Sequence, residues 1–123
     1  MTGDLAILQG EWIQTGFEAD GLVDPPDSID GAMGAVTTIA GTHFSVRNAR
    51  GLLLEGDFTL DETTSPRRIT WVDSMGPDTG KRLPAIYELK GDGFVFIAAD
   101  EGAPYPQTFR TQPGQTLRRF KRC

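Results

Sequence analysis

Apolar and polar residues alternate in short runs along most of this chain, and almost every run ends at a turn signal. A period of two places alternate side chains on one face of an extended strand. From Glu11 to Ala19 the pattern puts Trp12, Gln14, Gly16 and Glu18 on one face and Ile13, Thr15 and Phe17 on the other. Gly34 to Ala40 is dense in β-branched residues, Val36 to Ile39, which favour strands. His43 to Asn48 alternates through Phe44 and Val46. Leu52 to Leu60 places Leu54, Phe58 and Leu60 together, with Gly56 leaving room for a bulge or bend. Arg67 to Asp73 carries Ile69 and Trp71 on one side. Arg82 to Leu89 carries Tyr87 and Leu89, with Pro84 restricting its first part to an edge or bulge. Phe94 to Ala98, a short strand at Gln107 to Arg110, and Gln115 to Arg122 complete the set.

The intervening segments are turn chemistry. Asp20-Gly21, Gly41-Thr42, Asn48-Ala49-Arg50-Gly51, Lys90-Gly91-Asp92-Gly93 and Gln112-Pro113-Gly114 all carry residues that reverse a chain. Gly21 to Met33, with Pro25-Pro26, reads as a loop over one end of the fold, and Met75 to Lys81 as another loop. Residues 4–9 break the alternation. Leu5 and Leu8 fall three apart, Asp4 is placed to cap, and Gly10 stops the run, so a helical turn is expected there. It would plug one end of the fold with Leu5, Ile7 and Leu8.

Eight or nine short strands without a βαβ pattern predict an all-β, antiparallel barrel or sandwich. The tight turns favour an up-and-down meander, and closing it removes exposed edges. At 123 residues the chain is one domain, 1–123, long enough to bury a core without disulfides or metals. Its fifteen Gly and eight Pro are spread along the whole length, which fits many turns and not disorder. A net charge of −5 with no concentrated basic face argues against nucleic acid as a partner. The basic last strand, Arg118, Arg119, Lys121 and Arg122, reads first as a solvated edge with one structural arginine. Cys123 is the only cysteine, so no internal disulfide and no cysteine-based zinc site is expected. No run approaches a membrane span and no signal-peptide pattern opens the chain, which leads to the expectation of a soluble, cytoplasmic protein, or a secreted one if a leader has been removed.

Gly10-Glu11-Trp12 at the mouth of the first strand, preceded by a helical turn, resembles the signature of lipocalins and the wider calycin group. The resemblance implies an up-and-down barrel of about eight strands, closed at one end by Trp12 under an arginine of the final strand, Arg118 or Arg119. A closer resemblance, over Leu8 to Arg122, is to a family of small lipocalin-like bacterial domains of unknown function, much expanded in planctomycetes. It is carried by Leu8-Gln9-Gly10-Glu11-Trp12, Phe58-Thr59-Leu60-Asp61, Ser65-Pro66-Arg67-Arg68-Ile69, Gly76-Pro77-Asp78-Thr79-Gly80-Lys81, Ile86-Tyr87-Glu88-Leu89, Gly91-Asp92 and Pro106-Gln107-Thr108-Phe109. Ala85 and Tyr105 depart from it, standing where that family has Gly and Arg. It implies a fold and no activity.

Candidate chemistry is sparse. His43 is the only histidine and reads as a surface strand residue, so neither a triad nor a transition-metal site is expected. The acidic loops around Asp20 to Asp30, Asp73 to Asp78 and Asp100-Glu101 lack calcium-loop spacing. Gly76 to Lys81 lacks the spacing of a phosphate loop, and no cofactor motif appears. The inward face is the richer region. Gln14 follows the phase of Trp12, Glu18 would reach the mouth, and Phe44, Trp71, Tyr87 and Phe96 would line the interior. In the same phase Arg119, with Leu117, would pack on Trp12, while Arg118 would face solvent with Phe120.

Three functions fit. The first is binding of a small hydrophobic or amphipathic molecule among Gln14, Phe44, Trp71, Tyr87 and Phe96. The second is a protein-interaction or immunity-like domain with a filled barrel. The third is a cofactor-independent isomerase, cyclase or lyase using Glu18 as acid or base and Tyr87 as donor, for which a carboxylate in a pocket would have a raised pKa.

Overall fold

The alternating runs pair mostly with their sequence neighbours, and every pairing is antiparallel. The computed structural model describes residues 3–19, 21–23, 35–76 and 79–123, with only the backbone of Leu22 and Val23. In chain order the elements are α1 (Gly3–Leu8), β1 (Gly10–Ala19), β2 (Leu22–Val23), β3 (Val36–Ala40), β4 (His43–Asn48), β5 (Gly51–Asp61), β6 (Arg67–Asp73), β7 (Arg82–Lys90), β8 (Gly93–Ala99) and β9 (Gln115–Arg122). Strands β3 to β9 follow one another around the sheet, β1 pairs with both β3 and β9, and the result is a closed up-and-down barrel of eight strands. The two-residue β2 pairs only with the end of β1, at Glu18 and Ala19. Closure satisfies the ladder of both end strands and leaves no long edge to template aggregation.

The expected strand at Gln107 to Arg110 is absent. Neither β8 nor β9 has a free side to offer it, because the two pair with each other from Gly93↔Lys121 to Ala99↔Gln115. The segment between them, residues 100–114, instead crosses the outside of the barrel. The long loop expected over Gly21 to Met33 contains β2 at its start, and residues 24–33 lie outside the described set. Pro84 sits inside a closed sheet without a bulge, opposite Thr70. It is tolerated because pairing with β8 begins only at Ala85, so that side needs no N–H from Pro84.

Two apolar layers result. The interior holds Leu8, Trp12, Ile39, Phe44, Phe58, Ile69, Trp71, Tyr87, Phe94 and Phe120, all nearly solvent-free. A chain of ring contacts ties it together: Trp12 to Phe94 (5.7 Å), Phe94 to Phe96 (5.9 Å), Phe96 to Trp71 (4.9 Å) and Trp71 to Phe44 (5.0 Å). These are centroid separations at which tilted aromatic pairs attract. A second, smaller layer lies outside the wall, where Ile86, Ile97 and Leu117 are buried beneath Phe109 of the crossing segment.

Gly56 belongs to the inner layer. A Cβ there would stand 2.2 Å from the Val72 carbonyl oxygen and 3.0 Å from the Phe44 ring. The register is regular at this point; the irregularity lies beside it, between Val46 and Arg47 on β4. Gly56 therefore lets β6 and the Phe44 ring close in, where a bulge or bend had been expected.

Candidate functional site

One end of the barrel is closed by α1, and the run Leu8-Gln9-Gly10-Glu11-Trp12 is what fastens it. A helix leaves its last four carbonyls without partners inside the helix. Here each finds one. The Gln9 side-chain amide donates to Leu5 O (2.9 Å) and the Gln9 backbone N–H to Ala6 O (3.4 Å). An Arg122 Nη2–H donates to Ile7 O, and the Trp12 indole N–H donates to Leu8 O (2.9 Å). Gln9 also exchanges two hydrogen bonds with the backbone of Gly41 in the β3–β4 turn. Gly10 turns the chain from helix into strand at φ +116°, a region other residues rarely enter.

The arginine over the Trp12 ring is Arg122, 4.2 Å from its centroid, and not Arg119 or Arg118. Register explains the correction. Trp12 pairs with Arg122 and Gln14 with Phe120, so Arg118, Phe120 and Arg122 share the inner face. Arg119 lies on the outside, its stem against Gly16. Arg118, expected in solvent, points inward.

The other end of α1 is tied by charge. Asp4, placed to cap, is instead the second residue of the helix and is 5% exposed. Its Oδ2 accepts from the Tyr87 hydroxyl (2.7 Å) and from Arg67 Nη1 (2.8 Å), while its own N–H donates to Glu62 (3.1 Å). Burial raises the Tyr87 phenol well above its ordinary pKa, and the hydrogen bond to the Asp4 carboxylate adds to the rise. Ile7, expected in the plug, faces solvent.

Toward the opposite end the interior chemistry changes. Gln14 and Trp71 are 4% and 6% exposed, and both project inward from opposite walls, β1 and β6 lying four strands apart in either direction around the barrel. Gln14 Oε1 accepts from Arg118 Nη1 at 3.3 Å. Gln14 Nε2 and Trp71 Nε1 are fully buried and have no hydrogen-bond partner among the described residues. Such atoms are rare in folded proteins, because each forfeits its hydration without replacement. Phe44, Phe58 and Phe96 pack around the Trp71 ring, and the Arg118 guanidinium lies 4.9 Å from the Phe17 ring. Of the residues expected to line a pocket, Phe44, Trp71 and Phe96 come together, and Gln14 shares the interior with them. Tyr87 belongs to the plugged end.

Glu18 is on the other side of the wall. The register of β1 against β9 slips between Gln14 and Gly16, and this single extra residue, Thr15, reverses the phase beyond it. Phe17 then faces inward opposite Arg118, and Glu18 faces outward opposite Leu117. The Glu18 carboxylate accepts from the Thr111 hydroxyl (2.6 Å) and N–H (2.7 Å), and the Thr111 hydroxyl oxygen accepts from Gly21 N–H (2.7 Å). Hydrogen bonds from Thr111 hold the Glu18 pKa below its ordinary value, against burial, with help from Arg110 and Arg119. The expected raised carboxylate is therefore corrected. Glu18 and Tyr87 do not converge, and the acid–donor pair of the enzyme reading is not assembled.

Outside the barrel, two neighbouring open depressions of about 370 and 350 Å³ share Thr64, Ser65 and Pro66. Nearby, Tyr105 packs under the Arg68 guanidinium (4.4 Å) and bonds Thr70 through its hydroxyl (2.6 Å). His43 is exposed on the outer wall between Glu55 (3.1 Å) and Asp57 (3.4 Å), as a surface strand residue would be. Strand phase carries no signal for Asp4 or Thr111. For Arg122 the signal is its parity with Phe120, and for the bulge it is Gly16 beside the phase change at Phe17 and Glu18. No helix among the described residues is long and apolar enough to cross a membrane. Comparison of the chain with family models, curated proteins and solved structures returns no match.

Proposed function

We propose that this is a lipocalin-like barrel that binds a small, mostly apolar molecule in the half of its interior away from α1. The observation that carries the reading is the pair of buried, unmatched N–H groups on Gln14 and Trp71, set among aromatic rings. Small-molecule sites are lined mostly by apolar and aromatic side chains with a few orienting polar groups, and the side chains of this half of the barrel have that composition. The plugged end does not share it, since the groups that fasten α1 there are bonded to one another. Of the alternatives, an interaction domain is supported only by the open depressions beside Ser65-Pro66, and the enzyme reading loses its candidate pair.

The test is native mass spectrometry of the protein purified from its own host. A bound small molecule, released on unfolding and rebound on refolding, is the expected result. A bare protein mass from fresh lysate, with no mass shift on exposure to a small-molecule extract of the same cells, would refute the reading.

A further inference from the structure

Resting on that reading, the ligand's chemistry follows from which atoms are left unmatched. Gln14 has one acceptor and two donor hydrogens, and its acceptor is already used by Arg118. The Trp71 indole offers a donor only. Both unmatched atoms are therefore donors, and both are buried beyond the reach of bulk solvent. A ligand that brings another donor leaves them as they are. A ligand without polar atoms does the same. Only a hydrogen-bond acceptor relieves them. The surroundings of Trp71 add a second requirement. Its ring is contacted by Phe44, Phe58 and Phe96 at centroid distances of 4.9 to 5.5 Å, so the surroundings of the N–H are apolar and a second charged or strongly polar group on the ligand would go unpaired.

We infer that the site takes a small apolar carbonyl compound, whose oxygen accepts from the Trp71 indole N–H, the Gln14 amide or both. Arg118, on the same inner face, keeps its bond to Gln14 Oε1 and so holds the amide with its N–H₂ directed away from the guanidinium. In this arrangement Gln14 and Trp71 determine specificity, and neither does chemistry on the ligand.

The chain has two tryptophans, so its indole N–H groups give two resolvable nitrogen–proton resonances. That of Trp12 is already bonded to Leu8 O and serves as an internal control. The probes are acetophenone, its near-isostere ethylbenzene, and benzylammonium, titrated into nitrogen-15-labelled protein. Acetophenone is expected to bind about tenfold more tightly than ethylbenzene, equivalent to ~1.4 kcal/mol. It should shift the Trp71 indole and Gln14 amide resonances downfield while leaving Trp12 in place, and benzylammonium should not bind. Trp71→Phe keeps a ring and removes the N–H. It is expected to lower acetophenone affinity toward that of ethylbenzene without changing the latter. Gln14→Met, similar in length, serves the same purpose if Trp71→Phe does not fold. Equal binding of acetophenone and ethylbenzene, or acetophenone binding without a shift at Trp71 or Gln14, overturns the carbonyl inference and leaves the ligand-binding reading standing. Failure of all three probes to bind at millimolar concentration counts against the ligand-binding reading itself.

Discussion

Replacing Arg122 by Met isolates the polar part of the closure, because Met keeps an apolar stem over Trp12 and removes the guanidinium. Three interactions are lost: the bonds to Ile7 O and to Gln9 O (2.9 Å), and the cation over the Trp12 ring at 4.2 Å. A hydrogen bond to a charged group contributes about 1.5–3 kcal/mol, and a cation–π contact ~0.5–2 kcal/mol depending on desolvation. Arg122 is only partly buried, so water can reach the freed carbonyls and recover part of this. The expected net loss is about 2–4 kcal/mol, a large share of the roughly 5–15 kcal/mol typical of a domain. Urea unfolding followed by tryptophan fluorescence reads it as a lower midpoint at unchanged slope. Arg119→Met is the control. Arg119 is exposed on the outer face, and its replacement should stay within about 0.5 kcal/mol of the parent. An Arg122→Met protein as stable as the parent, or an equal loss from Arg119→Met, would refute the assignment of Arg122 as the closing residue.

Two further predictions follow from the packing of β5 and from the outer segment. Gly56→Ala places a methyl group against the Val72 carbonyl, which cannot rotate away, and should destabilise by about 1–3 kcal/mol or more, measured by the same unfolding midpoint; a neutral result would mean that β6 is free to move outward. Glu18→Gln weakens two charge-assisted bonds to Thr111, and a loss of about 1 kcal/mol is expected at neutral pH. Because the folded pKa of Glu18 is depressed, its contribution is present above the ordinary value of 4.5 and fades as pH falls through the folded value. The stability gap between parent and Glu18→Gln should therefore be widest above pH 4.5 and shrink as the pH is lowered beneath it. A gap that stays constant through the acid titration would show that the carboxylate charge is not what holds residues 100–114.

The strands were legible because burial on one face imposes a period of two, and His43 to Asn48, Arg67 to Asp73 and Gln115 to Arg122 are bounded as the alternation bounds them. Phase was harder to read, for physical reasons. Leu117 and Phe120 are both buried yet lie three residues apart, a spacing one face of a strand cannot supply. Leu117 is covered from outside by residues 100–114, so strand β9 is apolar on both faces and alternation no longer reports which is inner. The same outer covering hid the role of Glu18. An acidic residue four positions beyond Gln14 shares its face only if the strand is regular, and Thr15 makes it irregular. Partners such as Thr111 for Glu18, 93 residues away, carry no local signal at all.

The opening motif and the proposed site are linked by how polar groups are distributed along the barrel axis. Around α1, the helix carbonyls, Asp4, Tyr87, Arg67, Gln9 and Trp12 are matched to one another within the chain. A group so matched gains little from a ligand, since any new bond must first break an existing one. Gly10-Glu11-Trp12 is therefore part of the closure, and its indole is occupied. Trp71 has the same side chain in the same barrel, and its N–H is left open. Two identical indoles in opposite states argue that the difference is not a general looseness of packing. If both interior halves served only stability, substituting Trp71 by Phe would remove an unmet polar group and leave the fold as stable or more so, whereas Trp12 could not be changed without loss. A buried donor that stability alone would discard is the clearest support for the proposal that a ligand sits beside Trp71.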